Sequence, residues 1–524
     1  MSKENFLGDL AKATNYTHTA NGAVTHETSF NALLDFFGQA GAMRGRDAAV
    51  IDLFEKAYME DNLRALKCVF YFGDILEGQG ERDTFRTLLK HIANKHKDIL
   101  KNNIHLIPEF NRWDSIYALF DTDLEDDVIN LVRNQIKIDL SSEHPSLCAK
   151  WLKSTTSSSP QTRKLGKKTA RLLNLTDAEN KKNNKAKKAN EYMYRKTLTN
   201  LRTKLRVVEK NMSNNEWNSI DYSKVPSRAM NIYNNSFLNH DETRFTEYVD
   251  DLVQNKVKVN SKALYPYEIV KKVFNHKNTN IIEEKLMQAQ WNSLPNYIVN
   301  PDMKGICVVD VSGSMDGTPL EVAVSTALYV SERCSGTYHN KFITFSEHPK
   351  LVSVKGDNII AKVKNMSRAD WDMNTNLEAV FDLILQTAIK NKSPQEDIPD
   401  YLIILTDMEF DEAIGNDDYY CDNKNRNNFN KETLIETLRK KYEEAGYDLP
   451  ILVLWNIDAK SGQMPMTADE YGWISVSGYS PTIFKALLSE ELLGAQELNK
   501  KSIDPIKAML TVLDSERYNA ITIE

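Results

Sequence analysis

The sequence has little of what would make a function legible from one motif. Five of its 524 residues are cysteine (Cys68, Cys148, Cys307, Cys334 and Cys421), and none form a CxxC pair. A disulfide framework and a cysteine-rich zinc site are therefore not expected, and a reducing, cytoplasmic compartment is. Glycine (20) and proline (15) are too sparse for a collagen-like or low-complexity chain. No apolar run approaches the roughly 18 residues a membrane span needs, and mean hydropathy is −0.49. The opening residues MSKENFLGDL have no basic stretch leading into an apolar core, so no secretory leader is expected. There is no P-loop, no GxSxG and no HExxH, and GQGERD lacks the strand-before, helix-after context of a dinucleotide loop. His91 and His96, five residues apart, read as helix surface. With no assembled catalytic set, the expectation is a non-enzymatic protein.

What is present is a polarised charge. The net charge is −7, yet Lys150 to Lys210 holds eighteen Lys and Arg against four acids. That local excess of +14 leaves −21 for the rest of the chain. A single basic segment in an acidic chain suggests a localised polyanion contact; a solvated helical hairpin is the bland alternative. KKNNKAKK (181–188) reads as a loop. SSPQTRKLGKKTARLL and RKTLTNLRTKLRVVEK place cations at helical spacing beside leucine stripes, so one face packs while the other presents charge.

Residues 1–300 show helical periodicity, as in ETSFNALLDFFGQAGAM, DAAVIDLFEKAYME and DDVINLVRNQIKIDL, without strand signals. Successive amphipathic helices of this kind suggest stacked helix pairs, with a compact irregular helical domain as the alternative. The pattern changes near residue 303. Apolar runs (KGICVVDV, HNKFITFSE, KLVSVK, YLIILTD, PILVLWNID, WISVSG) alternate with helical stretches, SPTIFKALLSEELL being the last before the tail. This predicts a doubly wound, mostly parallel sheet over 301–495, followed by a helical tail over 496–524. Its functional edge lies at the carboxyl ends of the strands.

Asp310, Ser312 and Ser314 alternate just past the first strand, so their oxygens can turn toward one point. Asp407 closes YLIILTD, and Thr375 lies in the loop DMNTNLEAVF. Such a set suits a hard divalent cation and leaves it a position for an outside ligand. DVSGS, Thr375 and Asp407, in this order on this alternating pattern, resemble the metal-ion-dependent adhesion site of a von Willebrand factor A domain. The resemblance implies that Asp310, Ser312, Ser314, Thr375 and Asp407 ligate Mg²⁺ or Mn²⁺, directly or through water. Asn374 departs from the glycine that related loops often carry before the threonine. Glu409 and Asp411 follow the metal strand; they tune the ion's surroundings, meet a basic partner or, less readily, serve hydrolysis.

Five further blocks, FGDILEGQGERDTFR, FNRWDSIYALF, WNSIDYSKVPSRAM, ALYPYEIV and VSGYSP, are similar to a family related to the TROVE proteins, relatives of the Ro autoantigen. That resemblance implies a HEAT-like, possibly ring-shaped helical region closed by an A domain, and an RNA-binding ribonucleoprotein component. The expected phosphate contacts are Lys164, Lys167, Lys168, Arg171, Arg202, Lys204 and Arg206, with Tyr192, Tyr194 and Trp217 as aromatics that could stack on unpaired bases. The alternative is a protein-interaction scaffold in which a partner's acidic side chain completes the metal.

Overall fold

The computed structural model describes residues 10–11, 14–176, 183–205, 207–259, 264–275, 280–298, 304–346, 348–368, 376–411, 433–460, 462–484 and 503–523. Thr375, Asn374 and Arg206 lie outside these residues, as do most of SPTIFKALLSEELL and of the acidic stretch after Asp411.

Among the described residues the first strands are a short antiparallel hairpin, β1 (Tyr16–His18) and β2 (Val24–His26), paired in the register Tyr16↔His26. The region is mostly helical, as its periodicity suggests, and the hairpin adds one pair of strands to it. Three-residue strands are too short to show a period, although Asn21-Gly22 between them is a hairpin turn pair. The main helices of the region are α1 (Ala32–Gln39), α2 (Asp47–Glu60), α3 (Asn62–Gly73), α4 (Arg82–Lys95), α5 (Glu125–Ser141), α6 (Pro160–Leu173), α7 (Asn184–Lys204), α8 (Ser227–Val253), α9 (Pro266–Asn275) and α10 (Ile281–Asn292). Local chemistry sets their starts: the side chains of Asn31, Asp61, Ser159 and Asn183 accept from the first-turn N–H groups of α1, α3, α6 and α7. Residues 184–188 belong to α7, not to the loop that their composition suggested.

The second half is β3 (Gly305–Val309), α11 (Thr318–Arg333), β4 (Lys341–Thr344), β5 (Leu351–Ser353), α12 (Ile359–Met366), α13 (Leu377–Asn391), β6 (Tyr401–Thr406), α14 (Leu434–Glu444), β7 (Ile451–Asn456) and β8 (Trp473–Ser477). The sheet order is β5-β4-β3-β6-β7-β8, and every pairing is parallel except β4 with the edge strand β5. All residues of β3, β6, β7 and β8 are buried, as in a sheet covered on both faces. That burial is why these strands read as unbroken apolar runs.

The two halves are fused. A continuous apolar core runs from α1 through the sheet to the last helix, α15 (Pro505–Leu513), and a smaller one (Phe237, Phe245, Val249, Leu286) lies under α8 and α10. Helix α1 packs on β8 so closely that a Cβ at Gly38 would stand 2.2 Å from Ser475 Oγ. At the far end, α9 packs on α11 and α12. The helical region therefore begins and ends against the α/β half. The tail straps back onto α3: Arg517 forms a two-point ion pair with buried Asp74, and Asp514 pairs with Arg64 and Lys67.

Candidate functional site

Strands β3 and β6 lie side by side and parallel, with Val309 opposite Leu405, so their carboxyl ends coincide. The Asp310 N–H donates to Leu405 O at 3.0 Å, which carries the pairing one residue past the strand. The Asp310 side chain is fully buried. Its Oδ1 accepts from Ser312 N–H (2.9 Å) and its Oδ2 from the Thr406 hydroxyl (2.7 Å). Ser312 and Ser314 stand on the solvent side of the loop with their Oγ atoms 2.8 Å apart, while Met315 anchors the loop in the core. Asp407, also buried, accepts from Glu409 N–H (3.2 Å) and pairs through Oδ2 with Lys460 Nζ at 2.7 Å. The residue after it, Met408, has φ +67, a left-handed turn that a side chain adopts only under strain.

Burial pushes the Asp310 carboxyl up to about 6, and the neighbouring Asp407 adds to the rise against the lowering hydrogen bonds of Ser312 and Thr406. Two carboxylates thus share one strand-end rim with one ammonium, and no described Lys or Arg ion-pairs with Asp310. A second cation would relieve that imbalance. Two carboxylates and two adjacent hydroxyls are an oxygen-only donor set, so the residues fit a hard divalent ion with its open side toward Ser312 and Ser314.

Glu409 and Asp411 meet the β1–β2 hairpin. Glu409 Oε2 accepts from Ala20 N–H (2.6 Å), its carbonyl accepts from Asn21 Nδ2 (2.7 Å), and Asp411 bridges to Gly22. The acidic pair seats the β1–β2 hairpin beside the rim.

The basic segment divides into engaged and unengaged cations. The guanidinium of Arg202 donates to Ala149 O, Leu152 O and Ser154 Oγ. Lys204 donates to Leu140 O and Ser142 O. Lys168 pairs with Asp121 and Glu125, and Arg171 with Glu191. Lys164 is exposed and Lys167 half-buried, and neither ion-pairs with a described residue. Tyr194 is buried, donating to Lys153 O, and Trp217 stacks on His240. Tyr192 is 56 % exposed. Around it on α7 stand Lys185, Lys188, Arg195 and Lys196, all exposed and without a described acidic partner. At about 100° per residue these five fall within roughly one 100° sector of the helix. Composition alone does not group the four cations, because their register depends on α7 being helical from Asn184.

Two motif blocks of the helical region, FGDILEGQGERDTFR and ALYPYEIV, meet VSGYSP at the junction between the halves. Gln79 Nε2 donates to Ser477 Oγ (3.1 Å), and Thr482 Oγ1 to Gly78 O (2.9 Å). Arg44 pairs with Glu81 and lies 3.2 Å from the Tyr479 ring centroid, and Tyr267 packs edge-on to Tyr479. A Cβ at Gly80, where φ is +66, would meet the Tyr265 hydroxyl at 2.3 Å.

Known proteins resemble both halves. Residues 304–516 match a family described as Domain of unknown function (DUF7788). The chain is 29 % identical to Uncharacterized protein L728 of Acanthamoeba polyphaga mimivirus over 552 aligned positions, covering 97 % of this chain and 89 % of that one. Among solved structures it is similar to the Deinococcus radiodurans RO (RSR) protein, at 13 % identity and a TM-score of 0.42, over 88 % of this chain and 99 % of that one. A second family model, Domain of unknown function (DUF2828), matches residues 19–112 and 110–300; these make up more than half of the sequence, and the chain belongs to that family.

Proposed function

We propose that this protein is a non-enzymatic RNA-binding component, similar in role to the TROVE proteins, whose α/β half is an A domain holding Mg²⁺ or Mn²⁺. The observation that carries the RNA reading is the α7 face. It presents four exposed cations around an exposed tyrosine, whereas the nearby Lys168, Arg171, Arg202 and Lys204 meet acids or carbonyls. Cations at that spacing follow a phosphate backbone, and Tyr192 offers a ring on which an unpaired base stacks. Lys164 and Lys167 extend the surface along α6. Arg202 supports it from beneath by fixing the backbone at 149–154.

The metal half follows from the rim. Asp310, Ser312, Ser314 and Asp407, joined by Thr375 if the resemblance holds, would hold the ion, and the ion would supply an electrophilic position for an acidic group of a partner. Exposure of the two serine hydroxyls favours this second reading, a scaffold, and the two activities can coexist on separate halves.

The test is binding of a single-stranded RNA across a salt series. Four phosphate contacts on a single strand predict a log–log slope of about −3. In a variant combining Lys185→Glu, Lys188→Glu, Arg195→Glu and Lys196→Glu, the slope should become shallower by about that amount. Equal slopes for wild type and variant would end the RNA reading of α7. Chelation leaving RNA binding intact while abolishing capture of an acidic peptide would assign the metal to the scaffold role.

A further inference from the structure

His91 and His96 do not sit on separate parts of a helix surface. Helix α4 ends at Lys95, and His96 leaves the helical conformation with φ −130 and ψ 45. That departure swings its ring back beside His91, where a continuous helix would carry a residue five positions on to another face. Both imidazoles then aim Nε2 at one oxygen of Glu55 on α2: His91 at 2.5 Å and His96 at 3.0 Å. The three donor atoms lie within 4.8 Å of one another. The ring of Tyr58 packs against His96 at 4.3 Å, and Phe54 meets both imidazoles edge-on at 6.1 and 6.3 Å, walling the inner side. All three ligating side chains keep about a fifth of their surface exposed, so the other side opens to solvent.

We propose that Glu55, His91 and His96 form a transition-metal site of the zinc class. Two imidazole nitrogens and a carboxylate oxygen suit a borderline cation, whereas Mg²⁺ prefers oxygen alone, so this site is chemically distinct from the strand-end rim. Donors each about 2.0–2.1 Å from a tetrahedral ion stand roughly 3.3 Å apart. The Glu55 contacts are already within a few tenths of an ångström to under one ångström of that spacing. Lys95 holds the second oxygen of Glu55 and leaves the first to the ion. Three protein ligands leave the fourth position, facing solvent, for water or an anionic ligand. The site joins α2 to the end of α4.

The test uses the tag-free full chain, stripped with chelator, loaded with Zn²⁺ and desalted, with metal per chain measured by mass spectrometry. Wild type and Asp310→Asn should each retain one equivalent, and the double variant His91→Gln/His96→Gln should lose it while keeping the wild-type circular dichroism. Retention of the same zinc by wild type and double variant would overturn the site, as would no retention by wild type. If the double variant does not fold, Co²⁺ titration of wild type decides. The strong visible bands of four-coordinate cobalt support the site, and a spectrum of six-coordinate cobalt alone overturns it.

Discussion

The two halves of this molecule use buried carboxylates in opposite ways. In the helical half, Asp114 is nearly inaccessible and surrounded by cations: Arg86 at 3.0 Å, Arg112 at 2.9 Å and Lys153 at 3.2 Å. In the α/β half, Asp310 is just as buried but receives only a hydroxyl and an N–H. Burial alone would raise both groups. At Asp114 the three cations outweigh it and hold the carboxyl below its usual range; at Asp310 burial prevails. The contrast separates a carboxylate held in a cluster of cations from one with which no described Lys or Arg ion-pairs.

The same isosteric change should therefore have opposite consequences. Asp114→Asn leaves three cations clustered around an uncharged amide, and breaking a buried charge cluster in this way costs about 3–5 kcal/mol. Because the folded-state pKa of Asp114 is depressed, its contribution is present above the unfolded value and is lost as pH falls through the folded one. Denaturant unfolding of Asp114→Asn should show a lower midpoint and a flatter acid limb than wild type. Asp310→Asn in metal-free protein should not lower the midpoint, because it removes a buried charge that no cation neutralises. It should abolish any stabilisation by added Mg²⁺. Equal losses in both variants would erase the distinction drawn between the halves.

The α/β half was the more legible in sequence, and for a physical reason. A strand covered on both faces is an apolar run, and a site at a strand's end is written in the residues immediately after that run, as with Asp310 and Asp407. Nothing local announces Lys460, which reaches Asp407 from beyond the end of β7. In the helical half, periodicity located the helices but not the pairing of their charges. Lys168 is neutralised by Asp121 and Glu125, more than forty residues earlier, and Arg202 is tied up in hydrogen bonds to carbonyls near residue 150. A count of lysines cannot see either. The convergence of His91 and His96 depended on where α4 stops, and helix ends are poorly marked in sequence.

Arg202 sharpens the comparison within the basic segment itself. Its guanidinium joins two carbonyls and a hydroxyl, with burial lowering its pKa. Arg202→Ala should cost about 2–3 kcal/mol, since hydrogen bonds to a charged donor are at the strong end of the range. Lys164→Ala, at an exposed position with no described ion pair, should stay within about 0.5 kcal/mol. Thermal unfolding of the two variants reads this directly. RNA affinity should be ordered the other way when each folded protein is compared, with the loss greater for Lys164→Ala. Should Arg202→Ala unfold like wild type yet lose RNA, the guanidinium would have to contact phosphate and the structural assignment would fail.

An effect smaller than the loss at Arg202 concerns the ammonium at the rim. Lys460 Nζ lies 2.7 Å from Asp407 Oδ2, so a divalent ion using Asp407 must share that carboxylate with a tethered monocation or displace it. Either way the lysine opposes the ion, through repulsion in a partly desolvated site and through competition for the oxygen. Its side chain is about one-third exposed, so solvent screens much of the full Coulomb term and the remaining effect is modest. Lys460→Met keeps the aliphatic stem and removes the charge. It should tighten Mg²⁺ binding about tenfold, or ~1.4 kcal/mol, by calorimetric titration. Unchanged affinity would mean that the ion does not use Asp407 directly, which would move the centre of the site toward Asp310 and the two serines. Weaker affinity would mean that Lys460 orders Asp407 for the ion, making the ammonium a positioning group.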